Sequence, residues 1–177
     1  MTTTVLNCRI PSDVEELEKL RVIHPWLPGR DHIRPTPEQK KAKLEYFEMI
    51  KETYNSESDY ALQTVFGFEP ETDPATGKLR VVVPETTKAT RVRRFDRNMW
   101  PYALPAGTKH WTIWYAPGGP ATDDDDGDDD DDVISRDVFH DLEIRMAGSK
   151  FEFGWYKNPK MTIPSIPHYQ VFWHRVD

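Results

Sequence analysis

Lys109-His110-Trp111-Thr112-Ile113-Trp114-Tyr115 decides the reading of this chain, together with His168-Tyr169-Gln170-Val171-Phe172-Trp173-His174. Both runs read as strands, rich in aromatic and β-branched residues and free of Gly and Pro. Side chains alternate between the two faces of a strand. The first run therefore sets His110, Thr112 and Trp114 on one face and Trp111, Ile113 and Tyr115 on the other. The second sets His168, Gln170, Phe172 and His174 against Tyr169, Val171 and Trp173. Each strand then packs an apolar row inward and turns a histidine and a polar residue outward. Two such strands side by side would build one site between them.

Upstream of these strands the signals are helical. Ser12 with Glu15 reads as a capping box that opens a helix to about Val22, with Val14, Leu17 and Leu20 as its apolar stripe. Thr36-Pro37 opens a second helix to about Tyr54, where Leu44, Phe47, Ile50 and Tyr54 recur at three- and four-residue spacing. Ser56 caps a shorter third helix that Gly67 stops. After it, Leu79 to Val83 reads as a strand, Arg91, Arg93, Arg94 and Arg97 as a basic segment, and residues 100–105 as an extended, proline-bound connector. Residues 135–146 predict a short helix capped by Ser135, with Val138, Phe139 and Leu142 inward, and 150–156 a further strand. Helices first and strands later imply an α+β fold, with N-terminal helices packed on a mostly antiparallel sheet formed by the C-terminal half. Residues 1–177 are read as a single domain, a length that buries roughly 70% of the unfolded surface.

Composition narrows the function classes. No run approaches the roughly 20 apolar residues of a membrane span, and the first residues lack the pattern of a signal peptide. Cys8 is the single cysteine, so neither an internal disulfide nor a cysteine zinc cluster is expected. These features fit a cytoplasmic protein in a reducing compartment. The net charge of −7 is smaller than the nine aspartates of residues 123–132 alone, so the remainder of the chain is slightly basic. That block lacks the alternating ligands and closing Glu of a calcium loop, and residues 121–132 read as a disordered acidic insertion.

Arg97-Asn98-Met99-Trp100-Pro101-Tyr102, Leu104-Pro105, His110-Trp111, Trp114, Trp155, Asn158-Pro159, Ser165-Ile166-Pro167-His168 and Val171-Phe172 together resemble the fungal N-acetylglucosamine-induced protein family. Ser58-Asp59-Tyr60 and Phe66 are similar to its helical half, so the resemblance covers roughly residues 12–174 and departs in the acidic run. It implies the order of elements and marks the histidines. The family is a domain of unknown function and implies no reaction.

Three chemistries compete for the outward faces. His110-x-Thr112 resembles the signature of two-histidine phosphoesterases, in which one imidazole is base, another is acid and nearby hydroxyls hold phosphate oxygens. His168-x-Gln170 would be its second half, with Gln departing from the hydroxyl, so His110 and His168 are the candidate catalytic residues. Alternatively, the residues form a binding pocket for a small polar or phosphorylated, sugar-related ligand. Trp100, Trp114 and Trp155 would then stack on a ring, Asn158, His110 and His168 would hydrogen-bond it, and Asn98, Thr112 and Gln170 join the ligand-binding set. Arg94 among the basic run would attract an anionic group. The third reading is a non-catalytic interaction module whose aromatic surface docks a protein partner. No cofactor or metal is expected, since His140 with Glu143 lacks a second histidine at helical spacing. Nucleic acid is not expected either, because the basic run is short and the acidic run opposes a polyanion.

Overall fold

The two defining strands pair directly. In the computed structural model, which describes residues 5–29, 35–118, 128–158 and 161–176, β5 (Lys109–Tyr115) runs antiparallel to β7 (His168–Val176). Beside β7 lies β6 (Lys150–Tyr156), and beside β5 lies β4 (Arg93–Arg97), both antiparallel. The sheet is completed at its far edge by β1 (Asn7–Arg9), which pairs in parallel with β6 and gives the order β1-β6-β7-β5-β4. A separate hairpin joins β2 (Pro70–Thr72) to β3 (Leu79–Val81). The helices are α1 (Val14–Ile23), α2 (Pro37–Thr53), α3 (Glu57–Thr64) and α4 (Asp128–Met146). The fold is α+β, with the first three helices preceding the four antiparallel strands of the sheet and β1 alone preceding the helices.

One sheet face carries the main core. Trp111, Ile113 and Tyr115 of β5 and Tyr169, Val171 and Trp173 of β7 turn toward α4. Ile134, Val138 and Leu142, spaced four apart on α4, meet them with no exposed surface. Each such aliphatic contributes about 1.5–3 kcal/mol of burial. Trp111 and Trp173 meet edge to face at 5.7 Å, as their shared alternation phase predicts.

The acidic run is corrected in part. Residues 128–132, expected within a disordered insertion, form the first turn of α4, while 121–127 lie outside the described residues. Carboxylates at a helix N-terminus interact favourably with its dipole, which offsets the weak helix propensity of Asp. Asp131 further pairs with Arg9 of β1 at 3.3 Å. Ser135 is therefore mid-helix rather than a cap, and its hydroxyl accepts from Trp155 Nε1 at 2.9 Å. Phe139, expected inward, is 40% exposed, because the inward stripe begins at Ile134.

The second face is also covered, where the sequence pattern leaves it to solvent. Leu17 of α1, Trp26 and Leu27 pack on Phe172, together with Leu6 and Ile10 flanking β1. Helix α3 and β3 pack on Ile163 and Ile166 at the other end. Cap assignments largely hold: Thr36 and Gln39 form a reciprocal box at α2, and Ser56 accepts from Asp59 N at α3. At α1 the cap is Asp13 instead of Ser12, accepting from the amides of Glu15 and Glu16 at 2.9 and 3.0 Å.

Candidate functional site

Strand register turns the second face into a grid. Arg94, Trp114 and His168 stand in one row; Asp96, Thr112, Gln170 and Tyr156 in the next; and His110 pairs with Phe172 beyond that. Helices α2 and α3 bridge over the first two rows and leave a cavity of about 1360 Å³. Trp114, Trp100, Tyr46 and Tyr60 give it aromatic walls.

Its floor is a hydrogen-bonded cluster. Asn98 Nδ2 donates to Thr112 Oγ1 and to Gln170 Oε1, both at 2.9 Å. Asn98 Oδ1 is fixed in turn by the amide of Trp100 at 2.8 Å. His110 Nε2 donates to the same Gln170 oxygen at 2.6 Å, and its Nδ1 accepts from Tyr102 N at 3.2 Å. With two donors on Oε1, the Gln170 amide is locked, and its NH₂ group has no partner among the described residues and lines the cavity. The bonding pattern fixes His110 as a neutral Nε2–H tautomer. Burial pushes its pKa down to about 4, against a smaller upward effect of the Gln170 bond.

His168 is held differently. Its ring stacks on Trp114 with centroids 4.2 Å apart, and Nδ1 donates to the Ile166 carbonyl at 2.8 Å. The Nε2 lone pair is thereby left toward the cavity with no partner among the described residues. Burial lowers the His168 pKa and nearby Lys43 lowers it further, against the Ile166 bond. Lys43 extends from α2 to Thr162 Oγ1 at 3.2 Å, and burial lowers its pKa as well.

Of the residues predicted from sequence, Arg94, Asn98, Trp100, Thr112, Trp114, Asn158, His168 and Gln170 all line this cavity. Two do not. His110 faces an adjoining space of about 750 Å³ beneath the 101–104 connector and meets the main cavity through its partners Gln170 and Tyr102. Trp155 lies on the opposite sheet face, 1% exposed in the α4 core, because β6 pairs with β7 in the phase that puts Gly154 and Tyr156 on the cavity side. The basic segment is also divided. Arg93 pairs with Asp141 at 2.9 Å and Arg91 lies over the Tyr115 ring at 4.4 Å, whereas Arg94, on the cavity face, and Arg97, at the exposed end of β4, line the cavity. Sequence reasoning missed Lys43, Tyr46 and Tyr60, which lie on helix faces where polar and aromatic residues give no periodic signal. Tyr60 bonds Tyr46 through their hydroxyls, and its pKa is pushed up to about 12, first by burial and then by that bond.

Among the described residues, no group of three His, Cys, Asp or Glu side chains gathers closely enough to hold a metal ion. Residues 30–174 match the family described as a protein of unknown function, DUF3605. The chain belongs to that family. The match spans α2, α3 and the strands β4 to β7 that enclose most of the cavity, while Arg9, Ile10, Pro11, Ser12 and Leu17, which also line it, precede the match. No curated protein matches the sequence. A solved structure, described as the crystal structure of HTC1, aligns over 90% of this chain and 83% of its own at 16% identity, with a TM-score of 0.48. A likeness that low says nothing of the DUF3605 site. No helix among the described residues is long and apolar enough to cross a membrane.

Proposed function

We propose that this DUF3605 protein binds a small polar, phosphorylated ligand, sugar-related in class, in the cavity over β5 and β7. One observation carries the reading: a pre-ordered amide and hydroxyl floor, Asn98-Thr112-Gln170, lies beneath aromatic walls in a concave space. Ligand sites combine apolar walls with a few fixed polar groups, and rings stack on aromatic faces. The charge of the lining supports an anionic ligand. Lys40, Lys43, Arg94, Arg97 and Lys157 line the cavity of a chain whose net charge is −7, with Asp96 among the few acids. Trp100, Trp114, Tyr46 and Tyr60 beside fixed amide and hydroxyl groups support the sugar class, since a sugar ring offers an apolar face to stack and hydroxyls to hydrogen-bond. A docking surface would present these aromatics on an exposed flat patch, whereas Trp114, Trp100 and Tyr46 line a hollow.

The two-histidine phosphoesterase reading lacks such support. His110 stands opposite Phe172 and His168 opposite Trp114, four residues apart on one face. Their Cα atoms are about 13 Å apart at the rise of a strand, too far for both rings to hold one phosphate.

A thermal-shift series with sugars, sugar phosphates and nucleotides tests the proposal. A sugar phosphate at 100 times its Kd should add about 2.7 kcal/mol of stability, and Trp114→Ala should remove that gain. Absence of any shift across the series, or a shift untouched by Trp114→Ala, would overturn it.

A further inference from the structure

We infer that Lys43, Thr162 and His168 form the phosphate-holding end of the cavity, and that the bound ligand is a phosphate monoester taken up together with one proton. The inference rests on the proposed binding function and assigns its charged end. Lys43 is partly buried, points across the cavity to Thr162, and has no carboxylate partner among the described residues. Its ammonium lies over the Phe47 ring at 5.7 Å, and a cation half withdrawn from water without a counter-ion carries a cost that an anion reduces. Beside it, His168 is 6% exposed and aims an unpaired Nε2 lone pair into the same space. From there the strand alternation leads to the Gln170 NH₂ group, two residues and about 7 Å along β7, and to Thr112 beside it. The phosphate is thus set at the Lys43 end, with the ring over Trp114 and its hydroxyls toward the floor.

The proton follows from the tautomer. Nδ1–H is committed to the Ile166 carbonyl, so Nε2 meets a phosphate oxygen as a lone pair unless one proton lies between them. A monoester is mostly a dianion above its second pKa of about 6, and the neutral imidazole brings no proton to Nε2. One proton therefore enters from solvent and is shared by Nε2 and the phosphate oxygen; no bond of the ligand is made or broken. Among the described residues, the other charged and titratable groups lining the cavity are Lys40 and Tyr46 on α2, Tyr60 on α3, Arg94, Asp96 and Arg97 on β4, Tyr156 and Lys157 at the end of β6, and Arg9, Tyr102 and Arg145. Tyr60, with its pKa pushed up to about 12, stays neutral across the range of the experiment.

Calorimetric titration with N-acetylglucosamine 6-phosphate, N-acetylglucosamine and inorganic phosphate, between pH 6 and 8, tests the assignment. The complex holds one proton more than its separate components above pH 7, so the monoester should bind about tenfold more weakly at pH 8 than at pH 7. The slope should flatten toward pH 6, where the free ester already carries the proton. His168→Gln should abolish the slope. Lys43→Met, on the helix surface, should weaken the monoester at least tenfold while keeping the slope and leaving the free sugar unaffected. A monoester that binds with no pH slope, or as well to Lys43→Met, overturns the assignment and leaves the binding function standing. Failure of both sugar and ester to bind at any pH overturns the binding function itself.

Discussion

Two histidines that look alike in the sequence have different fates in the fold. Both open a strand-like run, and alternation correctly puts them on one face. Alternation does not report what lies above that face, so the burial of His110 at 5% exposure could not be read from its strand alone. His110 is a buried hydrogen-bonding post between Tyr102 N and Gln170. Its effect on stability has a definite sign with pH. The folded pKa of about 4 lies below the unfolded value near 6.5, so the folded chain binds fewer protons in that window. The stability from the neutral, buried ring is fully present above about pH 6.5 and is lost as pH falls toward 4. Urea unfolding at pH 7.5 and 4.5 should show this against His110→Gln, whose amide can replace both hydrogen bonds. The variant should gain about 2–3 kcal/mol relative to the parent on acidification. An unchanged difference between the two proteins would show that His110 is not held neutral.

Among the elements, β5, β6 and β7 were legible because large apolar residues repeat at period two between breakers. Strand β4 was not. Arg93-Arg94-Phe95-Asp96-Arg97 offers one apolar residue, and its arginines, with Arg91 before them, read as a basic segment at the rim of a pocket, although Arg91 and Arg93 turn inward. They are inward because α4 supplies acids. Asp137 lies 3.4 Å from Arg93 and 3.6 Å from Arg91 and accepts from the Tyr115 hydroxyl at 3.0 Å, while Asp141 takes Arg93 in a two-point pair. The sequence separation of 48 residues between Arg93 and Asp141 hides that complementarity from any local pattern. Asp137→Asn should leave two guanidiniums with one carboxylate between them. The cost of breaking a buried pair, about 3–5 kcal/mol, is reduced here because the arginine side chains are about a quarter exposed, so a loss of about 1–3 kcal/mol is expected in urea titration. Asp141→Asn, at a more exposed carboxylate, should cost less. The reverse order would mean that the sheet and α4 are not pinned through Asp137.

For the whole molecule, the order of elements is written in the sequence, but the closure of the sheet is not. Strand β1 has three residues, Asn7-Cys8-Arg9, with no propensity or alternation to announce it, and it exists only through its parallel pairing with β6. Lys43 was equally silent, since its neighbours Lys40 and Lys41 are the same residue type and only the packing of α2 on the sheet selects which one reaches Thr162. Gly154 lets the ends of the chain meet. A Cβ there would lie 2.7 Å from Ile10 Cγ1 and 3.3 Å from Leu27 Cδ2, so the bare backbone of β6 is what admits the segment after β1 and the turn after α1. Gly154→Val should cost about 1–3 kcal/mol through overpacking, and Ile10→Ala about 2–4 kcal/mol through the space it vacates. If the two side chains compete for one volume, the double variant should be less destabilised than the sum of the singles by about 1 kcal/mol or more. Strict additivity in a urea double-mutant cycle would place Ile10 away from Gly154 and remove the contact through which the N-terminal strand fixes one wall of the cavity.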